Sequence, residues 1–294
     1  MVMLPLLVSG LMASVSVAGP MEIRGQVEHH CATRGLSLED QELFTRHASQ
    51  PDDGQEINLG CVLHLCCGQG GECPPDSVAQ ETVEDMNGLL AKGKIKFTLQ
   101  NISRINDPRC TAGVTNNGAM DALKSQVHQG NTSTLNVVYV PTNQGAGVKG
   151  MCVVPQPGTD IASSIGGADG CVVAMDTLPK DNGGNDVNGH VGGSNGGSGG
   201  GNGQLSGAFT TTTHEMGHWL GENHVNGGSK GGFSGGLLRR QGGGSTGNIM
   251  EPVSMPGKQY SFSQAQLKRM RQMALARLNN QKAPVGDKNS PQFP

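Results

Sequence analysis

The sequence predicts an α+β fold built on a mixed, twisted sheet, and three observations carry that expectation. β-rich segments alternate with segments of helical spacing through the first half of the chain. A histidine-bearing run of helical character occupies the second half, and an amphipathic pattern closes the chain.

Taken in order, residues 56–66 alternate and are β-rich, which predicts a strand. Residues 76–90 begin with acid and place Val78, Val83, Met86, Leu89 and Leu90 at helical spacing, so a helix is expected. Residues 94–105 read as a second strand, 118–128 as a short helix and 134–140 as a buried strand. Residues 148–154 and 171–178 read as two more strands, and we expect 148–154 to be an edge strand that pairs with a peptide backbone. Residues 210–222 read as a helix despite their β-branched start. Ser263 with Gln266 forms a capping box ahead of Leu267, Met270, Ala274 and Leu278, which predicts a C-terminal helix.

Glycine supplies 47 of the 294 residues and is concentrated locally, which leaves the rest with an ordinary core-forming composition. Residues 182–203 are almost entirely Gly, Asn and Ser and are expected to be a mobile loop, with His190 incidental to it. Residues 226–236 and 242–244 repeat that composition.

Compartment and partners follow from the ends, the charge and the cysteines. Residues 1–18 are apolar, too short to span a bilayer, and end in Ser16-Val17-Ala18 before Gly19, the pattern of a signal peptide. Residues 19–54 form an N-terminal segment and a candidate pro-segment, 55–281 the main domain, and 282–294 a disordered tail. A net charge of -3 with no basic stretch gives no electrostatic case for nucleic acid, and no later segment is apolar enough to hold a membrane. A monomer is expected. Eight cysteines in an exported chain read as disulfides, whose pairing chemistry alone leaves open. Asn101 and Asn131 each head a glycosylation sequon.

The informative run is His214-Glu215-Met216-Gly217-His218-Trp219-Leu220-Gly221-Glu222-Asn223-His224. Residues four apart share a helix face, so His214 and His218 can grip one ion. Gly221 tolerates the positive φ of a sharp exit that brings His224 beneath the ion as the third ligand. Three histidines leave one coordination position open, the mark of a catalytic rather than a structural zinc site. Glu215 is placed to act as general base on a water at that position, for hydrolysis of peptide bonds in protein substrates. One Zn2+ per chain is expected, and nothing in the sequence decides on Ca2+. The rival class is a catalytically inactive module that binds a partner protein, and retention of Glu215 argues against it.

The run, followed by Asn248-Ile249-Met250 with its methionine 26 residues beyond His224, resembles the metzincin metalloproteases. Cys31-Ala32-Thr33, Thr134-Leu135-Asn136-Val137, Met151-Cys152, and Asp169-Gly170-Cys171 with Leu178-Pro179 make the chain most similar to the pappalysin/cytophagalysin family, in particular its secreted fungal members. The resemblance implies a zincin fold: an upper subdomain holding the sheet and the active-site helix, a smaller helical lower subdomain, and a cleft between them. It also implies a Cys152–Cys171 disulfide and a floor under the imidazoles made by Met250, for which Met255 is the rival. Pro252 stands where the family often has an oxyanion-binding tyrosine. The Met-Glu-Pro order is similar to that of matrixins, the second family considered. Cys31 has two readings, a disulfide cysteine or a thiolate that ligates the metal in a latent form.

Overall fold

The computed structural model of the chain describes residues 29–33, 51–68, 73–115, 117–141, 147–156, 158–178, 205–206, 210–225, 247–254 and 258–279. The expected leader at 1–18, the glycine-rich 182–203 segment with His190, Met255 and the tail at 282–294 lie outside those residues.

In chain order the elements are β1 (His29–Cys31), β2 (Ile57–Cys66), α1 (Asp76–Leu90), β3 (Ile95–Ile105), α2 (Gly118–Val127), β4 (Thr134–Val140), β5 (Val148–Cys152), α3 (Ile161–Ile165), β6 (Cys171–Ala174), β7 (Leu205–Ser206), α4 (Thr210–Trp219), β8 (Gly247–Asn248), β9 (Val253–Ser254), β10 (Gln259–Ser261) and α5 (Gln264–Leu278). Local chemistry sets several boundaries. Asp76 stands in the first turn of α1, where a negative charge favours the helix dipole. The Asn117 side chain accepts from Met120 N to start α2, and Ser263 with Gln266 forms the anticipated capping box on α5. The segment expected as a strand at 171–178 is extended only through Ala174 and then tightens into a 3-10 turn, Met175–Thr177.

Seven strands form one sheet in the order β3-β2-β4-β6-β5-β1-β9, and β7-β10-β8 form a small second sheet. The β3, β2, β4 and β6 neighbours pair parallel, and β5 runs antiparallel to β6. β4 is buried along its whole length, as strands covered on both faces are. Its side chains alternate between two cores. Leu135, Val137 and Tyr139 join the large cluster with Val83 and Met86 of α1, Met216 and Trp219 of α4, and Leu267 and Met270 of α5. Val138 and Val140 face the other way, onto Met120 and Leu123 of α2. Each such buried aliphatic side chain stabilises the fold by roughly 1.5–3 kcal/mol relative to exposure.

Two expectations need correction. The β5 strand is not an edge strand: β6 flanks it on one side and β1 on the other, and the edge falls to β9. The cysteines form three disulfides rather than four, Cys66–Cys110, Cys67–Cys73 and Cys152–Cys171, and leave Cys31 and Cys61 as free thiols. An even count therefore does not pair Cys31, whose sulfur lies against three histidines, while the other free thiol, Cys61, is buried within β2.

Candidate functional site

The α4 helix packs its whole length into the core, with Thr210 to Trp219 buried, and presents His214 and His218 one turn apart on one face. It ends three residues earlier than the expected 222. Gly221 adopts φ 84, and its N–H and that of Glu222 close back onto His218 O and Gly217 O. That left-handed residue turns the chain and delivers His224 to the same point.

The three imidazoles converge. His214 Nε2 lies 3.0 Å from His218 Nε2 and 3.1 Å from His224 Nε2, and the last two are 3.2 Å apart. Bonds of about 2.0–2.1 Å to a tetrahedral Zn2+ would set such nitrogens ~3.3 Å apart, so this donor set fits that ion. The remaining ring nitrogens point outward to backbone acceptors. His214 Nδ1 donates to Ile249 O at 2.7 Å and His218 Nδ1 to Glu222 O at 2.7 Å, which fixes each ring with its Nε2 lone pair turned inward. Burial holds His214 near 3, and burial likewise holds His218 and His224 below the usual histidine range, so all three rings are neutral at pH 7.

Cys31 completes the group. Its Sγ is 3.4 Å from His218 Nε2, and the four ligand atoms all lie within 4.8 Å of one another. The thiol, though free, is pushed up by burial first and by the Glu215 charge second, so without a cation beside it the neutral form is favoured. β1 reaches this place by pairing on both sides, parallel to β5 and antiparallel to β9. Ala32 N–H donates to Gly150 O and Cys31 N–H to Pro252 O.

Glu215 is fully buried beside the group, and burial raises its carboxyl to about 7. Its Oε2 accepts from the Thr33 hydroxyl at 2.8 Å, while Oε1 has no hydrogen-bond partner among the described residues. Gly150 on β5 allows this carboxylate to sit so close: a Cβ there would collide with Glu215 Oε1.

Met250 is fully buried, with its Sδ against α4. A Cβ added at Gly217 would come within 2.5 Å of it. Asn248 Oδ1 accepts from Met250 N, and Val225 N donates to Met250 O, which ties the turn to the chain just after His224. The Cys152–Cys171 disulfide lies behind the helix, with Cys171 Sγ 3.6 Å from Glu215 O. Asn101 and Asn131 are exposed and outside this cluster: Asn101 lies on β3, and Asn131 precedes β4.

Sequence reasoning missed Thr33, Gly150, Asn248 and the carbonyl of Ile249. Thr33 alone left a signal, since it stands two residues from Cys31 in a motif already singled out. The others act through backbone or through absent side chains, which no residue pattern advertises.

No family model matches the chain. The chain is 30% identical over 227 residues to an extracellular metalloprotease of Arthroderma otae, an alignment that covers 76% of this chain and 72% of that protein. It is 28% identical over 220 residues to an extracellular metalloprotease of Arthroderma benhamiae, covering 74% and 70% of the two chains. Among solved structures it is similar to mature mirolysin of Tannerella forsythia in complex with a cleaved peptide, at a TM-score of 0.43 and 18% identity over 78% of this chain and 98% of that one. Metalloproteinase-II of Bacteroides fragilis aligns at a TM-score of 0.41 and 11% identity over 79% and 56%.

Proposed function

We propose that this chain, which belongs to the extracellular metalloprotease family, is an exported zinc endopeptidase drawn in its latent form, with His214, His218 and His224 as metal ligands, Glu215 as general base and Cys31 as the thiolate that closes the site. The observation that carries the reading is the convergence of three imidazole Nε2 atoms with Cys31 Sγ on one point beside a buried carboxylate.

A zinc ion held there would supply Lewis acidity, lowering the pKa of water and polarising a peptide carbonyl. The protein does the rest. The Nδ1–H bonds to Ile249 O and Glu222 O hold the rings so that the inward nitrogens stay unprotonated. Glu215, with a pKa near neutrality, takes a proton from the attacking water and returns it to the leaving amine nitrogen. Gly150 O and Pro252 O, which now accept from the β1 backbone, are placed to accept from a substrate backbone once β1 withdraws. The substrates are extended peptide segments of proteins. Export by a cleaved leader at 1–18 agrees with three disulfides and would expose Asn101 and Asn131 to glycosylation. Removal of a pro-segment within 19–54 is the activating step in this reading.

The test takes the purified full chain, its zinc content and a casein digest, before and after a mercurial that blocks Cys31, each with and without chelator. We expect one zinc per chain and chelator-sensitive cleavage that appears on mercurial treatment. Zinc with no cleavage under any condition favours the inactive binding module. No zinc and no cleavage overturns the reading.

A further inference from the structure

The residue two places beyond Cys31 is bound as specifically as the cysteine itself. Thr33 is 5% exposed, although it belongs to the N-terminal segment. Its hydroxyl donates its single proton to Glu215 Oε2 at 2.8 Å and accepts from Cys152 N–H at 2.9 Å. A hydroxyl held from both sides has one orientation, and here that orientation aims the proton at the carboxylate. Thr33 N–H donates in turn to Cys31 Sγ at 3.3 Å, so thiol and hydroxyl are parts of one short turn.

We propose that Thr33 is a second latch: Cys31 blocks the metal position while Thr33 occupies the general base Glu215, and the two are released together when β1 leaves. The inference rests on the peptidase reading above and deepens it. A thiol alone would leave Glu215 free to bind water whenever the sulfur departed for a moment. With Thr33 in place, the carboxylate keeps one oxygen occupied and Cys152 N–H stays satisfied until the whole turn is withdrawn. The bond is buried, where a lost partner is expensive. Geometry supports release in one event, because the backbone bonds that hold the turn, Ala32 N–H to Gly150 O and Cys31 N–H to Pro252 O, lie between the two latching side chains or immediately beside them.

Cys31 provides a readout independent of catalysis. The other free thiol, Cys61, is fully buried, so a thiol reagent such as Ellman's reagent reports the opening of β1 in the folded, zinc-loaded chain. Thr33→Val keeps the shape and removes the hydroxyl; Thr33→Ser restores it. We expect Thr33→Val to be labelled at Cys31 about 10- to 100-fold faster than wild type, the loss of one buried hydrogen bond. Thr33→Ser should label within a few-fold of wild type, both with unchanged melting temperature. After full labelling, all three should cleave casein equally, because Thr33 then lies outside the site. Equal labelling rates for Thr33→Val and wild type overturn the latch, as does faster labelling that Thr33→Ser fails to reverse. If no labelled chain cleaves casein, the peptidase reading fails, and the labelling rates still decide whether Thr33 holds the segment closed.

Discussion

His214 Nδ1 donates to Ile249 O at 2.7 Å, a bond that joins α4 directly to the turn at Met250. The residue after that carbonyl is Met250, whose sulfur lies against Gly217 on the same helix. The orientation of His214 and the packing of Met250 are thus set by one contact between α4 and the chain that follows His224.

Close packing at that contact makes Gly217 sensitive. Gly217→Ala places a Cβ 2.5 Å from Met250 Sδ, an overpacking that should destabilise the fold by about 1–3 kcal/mol. Thermal unfolding of Gly217→Ala, Met250→Ala and the double variant checks it. The two substitutions should be non-additive, the smaller methionine replacement relieving the clash. Strict additivity would show that the sulfur does not meet the helix there.

Glu215→Gln keeps the volume of the side chain and removes the base. Turnover of the opened enzyme should fall by about 100- to 10,000-fold. Zinc content should stay at the wild-type level, since Glu215 is not among the grouped ligand atoms. Activity of the opened variant within tenfold of wild type would remove Glu215 from the mechanism.

Behind the site, Arg277 of α5 is fully buried, its guanidinium 3.7 Å from the Trp219 ring and 2.9 Å from Asp169 Oδ2, while Trp219 Nε1 donates to Asp169 Oδ1 at 3.1 Å. Removing the carboxylate leaves a cation in the core without its counter-charge. Asp169→Ala should cost about 3–5 kcal/mol, read as a drop in the denaturation midpoint. A loss under 1 kcal/mol would mean that the Thr132 and Trp219 carbonyls alone satisfy the arginine.

Acid should destabilise the protein through His64 on β2. This ring is fully buried, with Nε2 donating to Asn136 Oδ1 at 2.9 Å and Nδ1 accepting from Ser103 Oγ at 2.5 Å. Burial lowers its pKa from 6.5. The unfolded chain therefore takes up the proton first: the stabilisation is complete above about 6.5 and is lost as pH falls from there through the folded pKa. The stability of wild type should decline between pH 7 and 5 more steeply than that of His64→Gln, by up to about one proton. Parallel pH profiles would refute the assignment.

The legible parts of this molecule are those with a local period. The 210–222 run announced its helix, its shared histidine face and its glycine exit because histidines four apart and a positive-φ turn are written within a few residues. The alternation of β4 and the capping box of α5 were equally local. What escaped was the long-range pairing of short pieces. β1 is three residues long, with no pattern to read, and it displaced β5 from the edge by pairing His30 with Val148 and Cys31 with Gly150. The same insertion sets the free Cys31 thiol beside the histidines.

If the N-terminal segment is removed as proposed, the order β5-β1-β9 carries a kinetic consequence. While the N-terminal segment remains covalently attached, β1 meets β5 and β9 at the effective concentration of a tethered strand, about millimolar for a short linker. Any momentary opening is then undone by rapid recapture. Once the connection is severed, return becomes a bimolecular encounter with a dilute peptide. A single cut would therefore convert a reversible equilibrium into a ratchet, with no need to weaken any contact in the groove.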